Sequence, residues 1–282
     1  MVERRRFGNA FAYLVLSLGV FIIAFPVYLC LIGSTHEQSI IANGQMPITP
    51  GRLFLETYYK TLFIGTSGTT REPVGQMLLN SFVMAGTIAI GKIAISIISA
   101  YAVVYFKFPF RMAAFWLIFM TLMLPVEVRI YPTYKIAADL HLLDSYSGLA
   151  LPLIASATAT LFFRQFFMTI PDELIEASKL DAAGPFRFFK DTVLPLSRTN
   201  IAALFVILFI YGWNQYLWPL LITTRDDMQT IVIGIKKMIV TADALTEWNV
   251  VMATAMLAML PPVAVVVLMQ RWFVKGLVET EK

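Results

Sequence analysis

The sequence predicts an all-α, polytopic membrane protein with six transmembrane helices and, between the fourth and fifth, a helix-turn-helix on the cytoplasmic side. Three observations lead there. Hydrophobic residues make up 58% and charged residues 14% of the 282 positions, against roughly 25% charged in an ordinary soluble domain. Mainly apolar runs, long enough as helix to cross a hydrocarbon core of about 30 Å, recur along the chain. One stretch between two such runs, EASKLDAAGPFRFFKDTVLPLS (Glu176 to Ser197), instead mixes acids, bases and phenylalanines.

The predicted spans cover residues 11–33, 77–105, 112–127, 145–168, 199–223 and 250–270 of a single membrane domain, 1–282. They are helical because lipid offers no other partner to an unpaired backbone outside a closed barrel. The first run, Phe11 to Ile32, follows Arg4, Arg5 and Arg6. It is too long for a signal-peptide core and lacks a small-residue exit, so it reads as a retained span. Arg4, Arg5 and Arg6, the turn with Lys107 and Arg111, the 164–198 connection and the tail hold more Lys and Arg than the opposite loops. The positive-inside rule puts these, and both termini, in the cytoplasm. The formal charge of +4 is modest and dispersed, which points away from nucleic acid. Cys30 is the single cysteine, so no disulfide closes within the chain and no metal framework is legible.

The mixed segment begins with helix-start chemistry. Thr169 is placed to cap, Pro171 sits near the first helical position, and Asp172 and Glu173 suit the positive end of the helix dipole. Ala183, Gly184 and Pro185 break that helix, and FRFFKDTVL forms a second one up to Pro195. Ala177, Ser178 and Ala182 leave room for another protein, and Phe186, Phe188 and Phe189 offer apolar anchors. An amphipathic connection resting on the bilayer explains the same pattern, and composition does not separate the two readings.

EAS-KLD-A, followed by nine residues and T-V-LP, resembles the cytoplasmic EAA loop of ATP-binding-cassette importer permeases, EAA-x3-G-x9-I-x-LP. Glu176, Ala177 and Ser178 match its start, Asp181, Ala182 and Gly184 fall in its turn, and Leu194 and Pro195 close it. Ala182 stands where that family usually has glycine, and Thr192 where it usually has isoleucine. FKFPFR, LLDSYSGLALP and YGWNQYLWPLLIT are similar to the carbohydrate-type permeases. MLPVEVRIYPTY and ASATATLFFRQFFMTIPDEL are similar to their glycerol-3-phosphate branch, so the resemblance covers nearly the whole chain.

That resemblance implies a permease subunit of a bacterial cytoplasmic-membrane importer, multi-pass, whose loop docks into a cleft of an ATPase subunit. It implies as partners a second homologous permease subunit, two ATPase subunits, an external solute-binding protein and membrane lipid. ATP and magnesium would sit on the ATPase, with no cofactor or metal in this chain. The implied cargo is sn-glycerol-3-phosphate or a glycerophosphodiester, with a neutral sugar as the alternative.

GTIAIGK (Gly86 to Lys92) has the glycine and lysine spacing of a phosphate-binding loop, but Ile93 replaces the Ser or Thr that meets magnesium, and no strand precedes it. Lys92 is still unusual. A cation near the bilayer centre costs about 2.5–3.5 kcal/mol on insertion scales, so it faces either the permeation path or a structural partner. Glu127 and Arg129 flank the outer end of the third span, as an interfacial ion pair or as pathway residues. Arginine grips phosphate through paired donors, which suits an anionic cargo. Trp213, Asn214, Gln215, Tyr216 and Trp218 form an aromatic-amide cluster readable as a polyol-lining wall or as a subunit contact. No paired acids, HExxH or nucleophile-base spacing marks a catalytic residue, which argues against a membrane enzyme. A bare scaffold would leave Lys92, Asn214 and Gln215 without a purpose.

Overall fold

The structure, a computed structural model, describes residues 6–65, 72–121, 124, 126–239 and 246–278, with the side chains at 6–10, 126, 127 and 273–278 outside the described set. Several basic side chains used to orient the spans, at both chain ends, therefore lie outside the description. Helices α1 (Arg6–Gly33), α2 (Gln38–Ala42) and α3 (Phe54–Tyr59) lead to α4 (Val74–Tyr105), followed by α5 (Arg111–Met120) and α6 (Val126–Asp139). Next come α7 (Tyr146–Ala150), α8 (Ala157–Phe167), α9 (Asp172–Leu180), α10 (Pro185–Phe188) and α11 (Leu194–Leu196). The chain ends with α12 (Arg198–Trp213), α13 (Leu217–Ile222), α14 (Ile231–Ile239) and α15 (Trp248–Val278). No β-strand occurs among the described residues.

Within α1, α4 and α15, the segments Phe11–Gly33, Val74–Tyr105 and Trp248–Trp272 are long and apolar enough to cross a membrane. Two further candidates are bent: Tyr146–Leu153 with Ala157–Phe167 at 50°, and Pro185–Leu196 with Arg198–Trp213 at 69°. The predicted 112–127 span is not one helix. Most of it belongs to the ten-residue α5, about 15 Å long and too short to cross alone, and its last two residues begin α6. The predicted 199–223 span is interrupted at residues 214–216, between α12 and α13.

The chain divides into two compact units, each described by itself. The smaller comprises 1–76 and 234–260. Most of α1 exposes its apolar side chains, as a lipid-facing helix does. The Thr35 hydroxyl accepts from Gly51 N at 2.7 Å and the Thr35 carbonyl from Leu53 N at 3.1 Å, which folds the following loop back onto the end of α1. Lys60 pairs with Glu247 at 2.8 Å.

The larger unit, 77–233 and 261–282, holds the candidate sites. Its core packs Met84 and Ile88 of α4 against Leu149, Ala150, Trp218 and Ile222. Helix α4 buries a stripe at helical spacing, Ser81, Ala85, Ile88, Lys92 and Ser96, which aims Lys92 inward. Gly212 makes this packing possible: a Cβ there would lie 2.9 Å from the Ala85 Cα, so the α4 and α12 backbones touch. Buried Asn80 donates to the Asp227 and Gln229 carbonyls at 2.8 and 2.9 Å and accepts from the Tyr146 hydroxyl at 2.7 Å. Ser81 Oγ accepts from Ile231 N at 2.8 Å, so consecutive polar residues on α4 satisfy an irregular backbone.

Asp144 ties the 140–145 connection to the one after α13. Its carboxylate accepts from Thr224 N and the Thr224 hydroxyl, both at 2.5 Å, and from Arg225 N at 2.9 Å. Partial burial pushes the carboxyl up, but these bonds and the Arg225 charge outweigh it and hold its pKa below the ordinary value. A depressed folded value means the tie contributes above the unfolded value of about 3.9 and is lost only as pH falls through the folded one.

Two outcomes follow from this packing. Gly212→Leu forces α12 off Ala85 and lowers stability by about 1–3 kcal/mol, read as a reduced thermal midpoint of the solubilised chain. In Asp144→Ala, amide exchange at Thr224 and Arg225 rises tenfold or more at pH 7, as expected for bonds to a charged group worth about 1.5–3 kcal/mol. In the unaltered chain, their protection beyond the intrinsic rate stays constant from about pH 5 to 8.

Candidate functional site

The α12–α13 break would leave the last carbonyls of α12 unpaired. Asn214 Nδ2 donates to the Ile210 carbonyl at 3.0 Å and Gln215 Nε2 to the Tyr211 carbonyl at 3.2 Å, so both amides close the helix end. Each of these two polar residues in an apolar run thus has a hydrogen-bond partner within its own helix. Trp213 is buried and stacks on Phe209 with centroids 5.8 Å apart. Of the predicted group Gln215 and Trp218 line the adjacent cavity; Trp213, Asn214 and Tyr216 do not.

That cavity, about 230 Å³, lies between α4, α6, the α7–α8 connection and the break. Lys92 and Arg129 both line it, with Tyr211, Thr133 and Gln215. Lys92 is 7% exposed, and its ammonium sits 4.0 Å from the Tyr211 ring centroid. A ring face over a desolvated cation contributes about 2 kcal/mol, less than a full counter-charge supplies. Arg129 is exposed on α6, whose Thr133 hydroxyl donates to the Arg129 carbonyl at 2.7 Å. Glu127 belongs to the same helix, but its side chain lies outside the described set. No described carboxylate lines the cavity. Tyr211 went unnoticed in the sequence, although its spacing of one turn from Gln215 put them on one face. Gly86 to Lys92 lies wholly within continuous α4, with no loop to cradle a nucleotide phosphate.

The coupling candidate, 171–195, forms the predicted helix-turn-helix, with local corrections. Pro171, not Thr169, is the N-cap of α9. The Thr169 hydroxyl instead donates to the Phe166 carbonyl at 2.7 Å, closing α8. At the other end of α9, Ala182 N donates to the Lys179 carbonyl and Ala183 N to the Ser178 carbonyl, each at 3.0 Å. This paired closure puts Asp181 at the C-cap and Ala182 just beyond it. Ala182 has φ 52°, the left-handed conformation that favours glycine. Gly184, at φ −67°, needs no glycine geometry and precedes Pro185 as the N-cap of α10. The special backbone position is therefore the one where the resembled loop carries glycine, and alanine fills it under strain.

Glu176, Ala177, Asp181 and Leu194 are exposed, while Ser178 and Pro195 are half-buried. Leu180 is 88% and Phe186 78% exposed, leaving an apolar side chain bare in each helical half of the segment. The other phenylalanines hold the segment down. Phe188 is buried, with its ring 5.4 Å from that of Tyr105, and Phe189 lies 4.9 Å from Tyr101 between centroids. The Tyr101 hydroxyl donates to the Pro185 carbonyl at 2.7 Å. The signal for this anchor was the i, i+4 tyrosine pair ending α4. Residues 189–193 form a wide turn before Pro195, which lacks an N–H, and the chain bends into α12 beyond it. Replacing Ala182 by glycine removes a left-handed penalty of about 1–2 kcal/mol at some entropic cost. We expect a net gain of about 0.5–1 kcal/mol, seen as slower proteolysis of the 180–186 turn.

Residues 92–279 match the family described as binding-protein-dependent transport system inner membrane component. The chain is 58% identical to the sn-glycerol-3-phosphate transport system permease protein UgpE of Rhizobium meliloti (strain 1021), over the whole of both. It is 59% identical to the protein of that name from Agrobacterium fabrum and 57% to that from Brucella melitensis biotype 1, again over all of each chain. Among solved structures, a chain of a bacterial ABC transporter involved in import of the acidic polysaccharide alginate superposes with a TM-score of 0.81 at 17% identity, covering 97% of this chain and 99% of that one. The helical architecture is thus that of an ABC importer permease, and the chain belongs to the family of inner-membrane components of binding-protein-dependent transport systems.

Proposed function

We propose that this chain is the permease subunit of an ATP-driven importer and forms half of the pathway for sn-glycerol-3-phosphate or glycerophosphodiesters. The observation that carries this reading is the 57–59% identity, without gaps in coverage, to glycerol-3-phosphate permeases from three genera. The second half of the pathway comes from a homologous permease chain. Two ATPase subunits hold ATP and magnesium, and an external binding protein delivers cargo. On the six-span topology that the sequence predicts, both termini and the coupling segment face the cytoplasm, where the basic connections lie.

In this reading the ATPase grips the face that bears Glu176, Ala177 and Asp181, with Leu180 and Phe186 buried in its cleft. Exposure of both large side chains beside polar residues is what a docking turn requires, since each offers apolar area worth about 1.5–3 kcal/mol when covered. The segment passes movement inward through Tyr101 and Phe188, which join it to α4.

The cargo is tested by uptake of labelled sn-glycerol-3-phosphate, competed with maltose-like sugars, in a strain lacking only this chain and in the same strain with it restored. Restored uptake that sugars do not compete supports the reading; uptake of sugar alone ends it. For coupling, Glu176→Lys and Phe186→Asp each lower cargo-stimulated ATP hydrolysis of the full assembly tenfold or more, with the amount of chain in the membrane unchanged. Stimulation equal to that of the unaltered assembly removes the docking role.

A further inference from the structure

Two cations share a single cavity with no described carboxylate among its lining residues, and one of them is almost wholly buried. The ion pairs among the described residues join Lys60 to Glu247, Arg187 to Asp191 and Arg225 to Asp227; none involves Lys92 or Arg129. Desolvating an ammonium is costly unless an opposite charge replaces the lost water. The Tyr211 ring face offsets part of that cost and leaves the cation's net charge unchanged. Arg129 adds a second positive charge to the same space, where two like charges repel. Among the described residues the cavity therefore carries net positive charge, which an anion would balance.

We propose that this cavity is the phosphate subsite for the transported cargo, with Lys92 and Arg129 neutralising a phosphate monoester. The inference rests on the reading of the chain as a phosphorylated-polyol permease. Arginine supplies a planar fork for two phosphate oxygens and lysine a compact charge for the third. Gln215 gives its N–H to the Tyr211 carbonyl, so its side-chain oxygen is the acceptor left for a glycerol hydroxyl. The Thr133 hydroxyl, which also lines the cavity, gives its hydrogen to the Arg129 carbonyl, so its oxygen is left as an acceptor. The cavity, about 230 Å³, has room for a small polyol phosphate. The site lies beside a helix break, where the backbone is already irregular and polar. Selection here is by charge: a monoester carries nearly two negative charges near neutral pH, a diester only one.

The test uses the complete importer in proteoliposomes, with binding protein outside and ATP inside. Labelled sn-glycerol-3-phosphate and a glycerophosphodiester are compared at saturating binding protein. Arg129→Gln lowers monoester uptake about tenfold and diester uptake no more than threefold; Lys92→Met does the same, and Lys92→Arg restores monoester uptake to within threefold. Lys135→Gln, which removes an exposed charge from α6 away from the cavity, changes neither. Unaltered monoester uptake in Arg129→Gln, or equal losses for both cargoes, overturns the subsite. Because Lys92 is buried and its replacement can disturb assembly, a second measurement replaces Thr133 by cysteine in a Cys30→Ser background. Addition of sn-glycerol-3-phosphate, and not of glycerol, slows labelling of that thiol by a small cationic reagent; equal rates count against the proposal. If the unaltered assembly carries a neutral sugar and no glycerol-3-phosphate, the cargo reading itself falls; if it carries the phosphate and the variants are indifferent, only the subsite does.

Discussion

The constraint that organises this molecule is the demand, in a medium without water, that each backbone N–H and C=O find a partner inside the chain. Where helices run unbroken, as in α4, the demand is met automatically. Where they break, side chains are supplied for the purpose. Asn214 and Gln215 close the end of α12, Ser156 caps α8, and Asn80 with Ser81 holds the strand-less stretch before α14. Two of these repaired interruptions, at 154–156 and 214–216, border the Lys92 cavity. The polar groups around the cavity thus occupy the places where irregular backbone already had to be accommodated.

Close approach of small residues supplies the second condition. Gly212 lets α12 touch α4 at Ala85, and Lys92, two turns along α4 from Ala85, lies over the ring of Tyr211, the residue beside Gly212. A larger residue at that crossing would separate the cation from the ring, so the electrostatics of the cavity depend on a contact made entirely by carbon. The Trp218 indole N–H, which donates to the Gly148 carbonyl at 3.1 Å, secures α13 to α7 in the same way.

Much of this architecture was legible in the sequence. Long apolar runs fixed α1, α4 and α15, and the mixed segment between two runs showed both short helices of the coupling candidate with their Gly-Pro boundary. The failures have local causes. Thr169 is in a good position to cap α9, but its hydroxyl reaches the carbonyl three residues back, and the start passes to Pro171. The 112–127 span looked continuous because hydropathy does not register where an apolar helix stops. For the cavity, Lys92 and Arg129 were visible as misplaced charges, but their meeting depends on helix crossings 37 positions apart in sequence, which no local pattern encodes. Tyr211 was overlooked because aromatic residues in apolar helices are ordinary packing material, and only its place beneath the ammonium distinguishes it.

Helix α4 has one feature with wider reach. It runs without interruption from Tyr101, bonded to the carbonyl of Pro185, to Lys92, about 14 Å along its axis. An α-helix over that distance behaves as a stiff rod, with every residue tied to the next turn. A tilt imposed at the Tyr101 end is therefore passed on to the level of Lys92, with no break between them to absorb it. The anchor of the 171–195 segment and the buried charge are thereby two points on one rigid element.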